Sequence, residues 1–294
     1  MKKFVIVTDS CSDLDKALRE RYSIDYIPMH MTLDGKDYPA DLDWGDFSFE
    51  EFYKLLREGK RFTTAQINVA EYTAAFEKYI NDGYDVLSIS CSSALSASVK
   101  ESYIVRDELM AKYPDAKIVC IDSLNACSSV GMMCVRAAEM RDEGKTIDEI
   151  AEWLEANKLR MNQECTVDSL VYFKRAGRVS AATAFFGGLL NIKPIVISSK
   201  EGHNLAVEKV KGRAAAISRL ADRVAERYVS EPFGQLFLSH ADCEADMKKL
   251  KDEILARIPD KDIPVHEGYI GPIIGATAGP GTVAAFFWGK EVTD

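Results

Sequence analysis

The hydrophobic pattern switches repeatedly between short apolar runs and a 3.6-residue repeat. Residues 3–8 are an apolar run closed by Thr8, Asp9 and Ser10, which predicts a first strand and a polar turn. A second strand is expected over 24–33, ending at the turn pair Asp34-Gly35. Ser48 and Glu51 have capping-box spacing ahead of a helix with Phe52, Leu55 and Leu56 inward, which Gly59 ends. The connection 61–66 leads to a helix from about Val69 to Ile80. In 86–98, Val86, Leu87 and Ile89 mark a strand that closes into a helix with Leu95, Val99, Tyr103 and Met110 on one face. Residues 117–123 repeat the pattern, followed by a helix with Met132, Met133 and Val135 inward. Thr146 and Glu149 form another capping box, opening a helix with Ile147, Ile150 and Leu154 on one face.

The pattern restarts near 159–164, with no Pro- or Gly-rich linker. Strands are expected at 163–168, at 193–199 and 204–210 around Glu201-Gly202, and at 235–239. Between and after them, one helix carries Ile217, Leu220, Val224 and Tyr228, and another Met247, Leu250, Ile254 and Ile258. Strands alternating with helices imply βαβ units and parallel pairing. The expectation is two α/β domains with mostly parallel sheets, residues 1–160 and 161–294.

Composition narrows the function. The 294 residues are 47% hydrophobic and 28% charged, enough for a sizeable core. A net charge of −9 with no basic run argues against nucleic acid or an anionic membrane surface as partner. No apolar run reaches membrane-spanning length; the longest candidate, 184–192, carries two glycines. The opening MKKFVIVTDS reads as a buried strand and not as a signal peptide. Seven cysteines form no CxxC pair and no zinc spacing, so a reduced, cytoplasmic protein without structural metal or cofactor is expected.

Three hydroxyl-rich turns stand out: Asp9-Ser10 with Ser12, Thr63-Thr64-Ala65-Gln66, and the serines of 92–98. At strand ends of a parallel sheet they can converge on one edge. A serine-rich strand-to-helix junction offers hydroxyl and backbone donors to an anion; the alternative is that one serine caps the helix and the rest fill turns. Gly271, Gly275, Gly279 and Gly281, with Pro272 and Pro280, predict a tight, close-approach backbone before a last strand. Phosphate-loop and dinucleotide patterns are absent, as is a G-x-S-x-G elbow. None of His30, His203, His240 and His266 stands in a context that marks a general base, and Asp9 lacks the second aspartate of an aspartyl-phosphate motif.

The ordered set Val7-Thr8-Asp9-Ser10, Thr63-Thr64, Gln66, Ser92-Ser93, Leu95-Ser96, Ile121-Asp122-Ser123, Gly177-Arg178-Val179-Ser180, 190–195 and 271–281 resembles the DegV family over essentially the whole chain. The resemblance implies a long-chain fatty acid in a tunnel between two domains. It further implies that the carboxylate is presented to a separate kinase that makes the acyl phosphate. By position, Thr63, Thr64, Ser93 and Ser96 are the implied head-group ligands, with Thr277 beside them; Arg178 and Gly275 are implied ligand or partner contacts. The family commonly has Thr-His-Thr where Ala276-Thr277-Ala278 stands, Ser at Ala65 and Gly-Thr at Ala97-Ser98. Phe185, Phe186, Leu189 and Leu190 are expected to line the tunnel or to form a plain core helix.

Burying about 15 methylenes at roughly 0.8 kcal/mol each gives about 12 kcal/mol gross, against 1–2 kcal/mol per head-group hydrogen bond. The tail is therefore expected to set affinity and the hydroxyls orientation. With no cation assigned to the head group, desolvation is expected to raise the carboxylate pKa, so that affinity rises as pH falls from about 8 toward 5. A non-catalytic binding protein is the reading; the rivals are a hydrolase using a serine of 92–98, and a binder of a small polar anion.

Overall fold

The structure, a computed structural model, describes residues 3–180 and 191–294. Phe185, Phe186, Leu189 and Leu190 lie outside the described residues. In chain order the elements that position the site begin with strand β1 (Phe4–Asp9), helix α1 (Lys16–Tyr22), β2 (Ile24–Ile27), β3 (His30–Leu33) and β4 (Lys36–Pro39). They continue with α2 (Phe49–Arg57), β5 (Thr63–Ala65), α3 (Val69–Asn81), β6 (Asp85–Ser90), α4 (Ser98–Lys112) and β7 (Ile118–Asp122). Helices α5 (Ser128–Asp142) and α6 (Ile147–Asn157) lead to β8 (Met161–Thr166), α7 (Val171–Ala176) and β9 (Val179–Ser180). The rest is β10 (Ile192–Ser198), β11 (Asn204–Lys211), α8 (Arg213–Arg227), β12 (Leu236–His240), α9 (Glu244–Arg257), β13 (Val265–Tyr269), α10 (Pro272–Ala278) and β14 (Val283–Trp288).

Two α/β domains result, and their sheets differ. The first sheet, in order β2-β1-β6-β7, is wholly parallel, as βαβ units require. The second, β13-β12-β14-β8-β10-β11-β9, is parallel only at β12–β13 and β9–β11 and antiparallel at its four other pairings. The expectation of mostly parallel sheets is thus corrected for this half. The β10–β11 connection is a hairpin, and the inner strand β14 runs against both its neighbours. β14, VAAFFW, is buried throughout because it is covered on both faces.

The expected strand over 24–33 is two strands in different sheets. Pro28 between them lacks an N–H and steers Ile27 away from helix, so β2 stops beside β1 while β3 joins an antiparallel sheet β4-β3-β5. The two capping sites hold: Ser48 accepts the Glu51 N–H, and Thr146 and Glu149 cap reciprocally. Helix α4 starts only at Ser98, so Leu95 falls outside it, and Met110 is exposed; its buried face is Val99, Ser102, Val105 and Leu109.

Helix α5 is the spine. It is buried on nearly every side, packing on β1, β2 and β6 of one sheet and on β8, β12 and β14 of the other. Helices α3 and α4 cover the far face of the first sheet, and α8 and α9 the far face of the second. The inward face of β14 and β8, with the strand-end loops of the first sheet, therefore meets across a gap beside the N-terminus of α5.

Candidate functional site

The gap is a cavity of about 400 Å³, within the range of small-molecule sites. Its floor comes from alternate residues of two neighbouring strands, Gln163 and Cys165 of β8 and Ala284 and Phe286 of β14, with Thr282 just before β14. Its roof is the face of α10 carrying Ile273, Ile274, Thr277 and Ala278, at spacings of one, four and five residues. Cys11 and Cys91, from the loops after β1 and β6, and Met29 close one side, with Cys127 at the start of α5. Four cysteines and a methionine make this wall soft and apolar. Burial raises the Cys165 thiol to about 12 and pushes the Cys127 thiol well above its ordinary range, so both stay protonated and behave as small hydrophobes.

The strand-end loops are held by buried carboxyls. Asp9 accepts the N–H groups of Cys11 at 2.9 Å and Cys91 at 2.8 Å, tying the ends of β1 and β6 together. Burial outweighs these bonds and raises its pKa to about 6. Asp13, in left-handed backbone at φ 48°, accepts the Cys127 thiol at 2.9 Å. Burial raises the pKa of Asp13 to about 8, so it is largely protonated at neutral pH.

The polar end of the cavity gathers Thr64, Gln66, Ser96 and Arg178, with Thr277 of the roof. Ser98 accepts the Ile67 N–H at 3.2 Å and lies 3.0 Å from the Ser96 hydroxyl, and Ser96 also accepts the Ser98 N–H at 3.2 Å. When Ser98 donates to Ser96, the Ser96 hydrogen is left for a ligand. Thr277 donates to the Ile273 carbonyl one turn back at 3.1 Å, so its hydrogen is already engaged. Arg178 is exposed; its Nε donates to the Leu95 carbonyl at 3.3 Å and its Nη1 to the Ala176 carbonyl. Among the described residues no carboxylate pairs with this guanidinium, which leaves its charge facing the cavity mouth.

The structure thus brings Thr64, Ser96, Thr277 and Arg178 to one cavity and leaves out three other expected site residues. Thr63 lies one step outside, lining a smaller pocket of about 140 Å³ that shares Thr64, Arg178 and Thr277 with the main one and adds Lys60, Arg61 and Arg175. Ser93 is absent from both walls; its N–H donates to Asp122 at 3.1 Å. Gly275 is a packing residue: a Cβ there would lie 2.5 Å from the Tyr53 hydroxyl and 2.9 Å from Phe52, so its bare backbone is what seats α10 on α2. The stretch 271–281 is accordingly a short helix opened by Pro272 at its first position, followed by Gly279 and Gly281 at positive φ. Within 92–98 the cap is local, Ser92 accepting the N–H groups of Leu95 and Ser96 on its carbonyl and of Ala94 on its hydroxyl. Gly202, at φ +80°, presses the β10–β11 turn onto this loop; its Cβ would sit 2.1 Å from Ser92 Oγ.

Sequence reasoning missed Gln163, Asn204 and the sulfur wall. Gln163 shares one strand face with Met161 and Cys165, a polar residue at an inward position, and that is the one signal that marks it. Among the described residues no group of three His, Cys, Asp or Glu side chains is placed to hold a metal, and no histidine lines either pocket.

Fold and cavity define a two-domain α/β protein with a ligand-sized apolar chamber where its two main sheets meet. The chain belongs to the DegV family, whose model, described as "Uncharacterised protein, DegV family", matches residues 3–290. A DegV domain-containing protein of Clostridium perfringens is 40% identical over 291 residues, covering 98% of each chain. A DegV lipid binding protein of Thermotoga maritima superposes with a TM-score of 0.85 at 26% identity, covering 99% of this chain and 100% of the other. A DegV family protein of Thermus thermophilus, described by its fatty acid binding, gives 0.84 at 27% identity over 97% of this chain and 99% of that one. No helix among the described residues is long and apolar enough to cross a membrane.

Proposed function

We propose that this protein binds one long-chain fatty acid in the cavity and presents its carboxylate to a separate fatty acid kinase. The observation that carries the reading is the asymmetry of the wall: it is mostly apolar, and at one end Arg178, its only charged side chain among the described residues, lies with the hydroxyls of Thr64 and Ser96. An amphiphilic acid matches that asymmetry, tail against Met29, Ile273 and Phe286, head at the hydroxyls. The lipid and fatty acid binding of the Thermotoga and Thermus relatives supports it. A small polar anion would leave most of the chamber unfilled.

The kinase is supported by the adjoining pocket, where Arg61, Arg175 and Arg178 gather positive charge on a chain of net charge −9, Lys60 beside them being paired with Asp34 at 2.7 Å. A phosphate-bearing partner is drawn to such a mouth. We read the chain as a carrier without turnover of its own, since among the described residues the wall has no histidine or carboxylate to serve as base for a serine nucleophile. We divide the chain at 160/161, because β1–β7 all precede this point and β8–β14 all follow it. A cytoplasmic setting fits its seven free thiols.

Native mass spectrometry of protein purified without added lipid tests the reading, with organic extraction to identify the ligand. The expected result is one bound acid of 14–18 carbons, a range set by the family resemblance (about 400 Å³ of cavity). Apo protein alone, with no uptake of added palmitate, overturns it.

A further inference from the structure

Two amides sit in the cavity wall where an alkyl tail has no use for them. Gln163 and Asn204 line the chamber and are each only 6% exposed. Their orientations are fixed in series from the backbone. The Arg178 carbonyl can only accept, so Asn204 turns its Nδ2 toward it, at 3.0 Å. That leaves Asn204 Oδ1 facing Gln163, which must then present Nε2, at 3.4 Å. Gln163 Nε2 also points at Cys165 Sγ, 4.0 Å away. Both hydrogen bonds of the Gln163 side chain are therefore made by its nitrogen, and Oε1 has no donor among the described residues. An amide oxygen without a donor in a chamber lined by Cys165, Ala284 and Phe286 is costly to cover with methylenes.

We propose that the cavity selects a long-chain acid bearing a hydroxyl on its chain, whose O–H donates to Gln163 Oε1. The proposal rests on the fatty-acid reading above and adds the substrate class. An unsubstituted tail desolvates Oε1 and returns nothing, and neither a cis double bond nor a keto group has a hydrogen to give. A site that holds a bare acceptor discriminates more sharply for a hydroxyl than an apolar wall discriminates against one. The amide pair also joins the tail chamber to the head-group end, since the chain of bonds terminates on the backbone of Arg178.

The test is competitive binding of palmitate and of its 3-, 12- and 16-hydroxy derivatives to the full chain, repeated with Gln163→Met. Methionine keeps the length and flexibility of the side chain and removes the acceptor. We expect one hydroxy acid to bind about tenfold more tightly than palmitate, the size of one hydrogen bond to a buried acceptor. In Gln163→Met that ratio falls to about one. Gln163→Leu serves as a second variant should the first fold poorly. All three hydroxy acids binding no better than palmitate overturns the proposal, as does a preference that survives in both variants. A water held on Oε1 beside a plain chain gives equal affinities and falls under the first of these. Palmitate binding without hydroxyl preference sinks this inference and leaves the fatty-acid reading standing; no binding by any of the four acids sinks both.

Discussion

The mouth and the interior of the cavity handle charge in opposite ways. At the mouth, Arg178 keeps its guanidinium in water, with Lys60, Arg61 and Arg175 nearby, and its partners are backbone carbonyls. Behind the interior wall, Asp9 and Asp13 are buried carboxyls whose pKa values are raised to about 6 and about 8. The mouth thus offers a full charge that costs little to maintain, and the interior suppresses charge to remain dry. A ligand with one charged end and a long apolar body is oriented by the first region and held by the second.

The largest expected effect tests the interior. Asp13 has an ordinary pKa of 3.8 and about 8 in the fold, so the native state binds its proton more tightly than the unfolded chain. Its stabilising effect is complete below about pH 4 and is lost as pH rises through about 8, on the order of 6 kcal/mol in all. Denaturation midpoints of the unliganded protein should therefore fall from pH 5 to pH 8. Asp13→Asn, which tolerates the left-handed backbone, should flatten the part of that slope above pH 6. Below pH 6, where both carboxyls contribute in the parent, about half of the slope should remain in the variant, because Asp9 has the same sign. An unchanged slope in Asp13→Asn would mean that the carboxyl is ionised in the fold.

A smaller effect tests the mouth. The sequence alone assigned no cation to the head group and so led to affinity rising at low pH; Arg178 at the wall changes that expectation. A guanidinium beside the carboxylate opposes desolvation, so palmitate affinity should be nearly flat between about pH 5.5 and 8. Arg178→Ala should weaken binding at pH 8 by about 1 kcal/mol, a modest value because the group is exposed. The variant should also regain affinity as pH falls. A variant profile as flat as the parent's would remove Arg178 from the head group. Smallest of all is Thr277→Ala, expected to change affinity less than about twofold, because the hydroxyl is engaged with Ile273. A tenfold loss there would show that the hydroxyl turns to the ligand.

The sequence made some of this plain and hid the rest for physical reasons. Long periodic helices such as α3, α8 and α9 were legible because one apolar stripe decides them, and the parallel sheet followed from strands alternating with helices. The antiparallel character of the second sheet was not, since β14 is an unbroken apolar run with no alternation to reveal its neighbours. Strand β13, VHEGY, escaped because it is half exposed at a sheet edge. At the site, the hydroxyl turns were legible as donors, but which serine faces the cavity depends on the local turn at Ser92, and that turned Ser96 in and Ser93 out. Gly275 looked like a ligand approach and is a helix-packing contact. Asn204 became a site residue only through the β10–β11 hairpin, whose pairing no single segment encodes.

The central claim is that the interior sets affinity and the hydroxyls set orientation. Isothermal titration of palmitate and laurate to the native protein, and of palmitate to Thr64→Val, measures both sides at once. Four methylenes are worth about 3 kcal/mol, so palmitate should bind at least 100-fold more tightly than laurate. Loss of the Thr64 hydroxyl should cost about 1 kcal/mol, or roughly fivefold. A laurate penalty smaller than the Thr64→Val penalty would contradict the account.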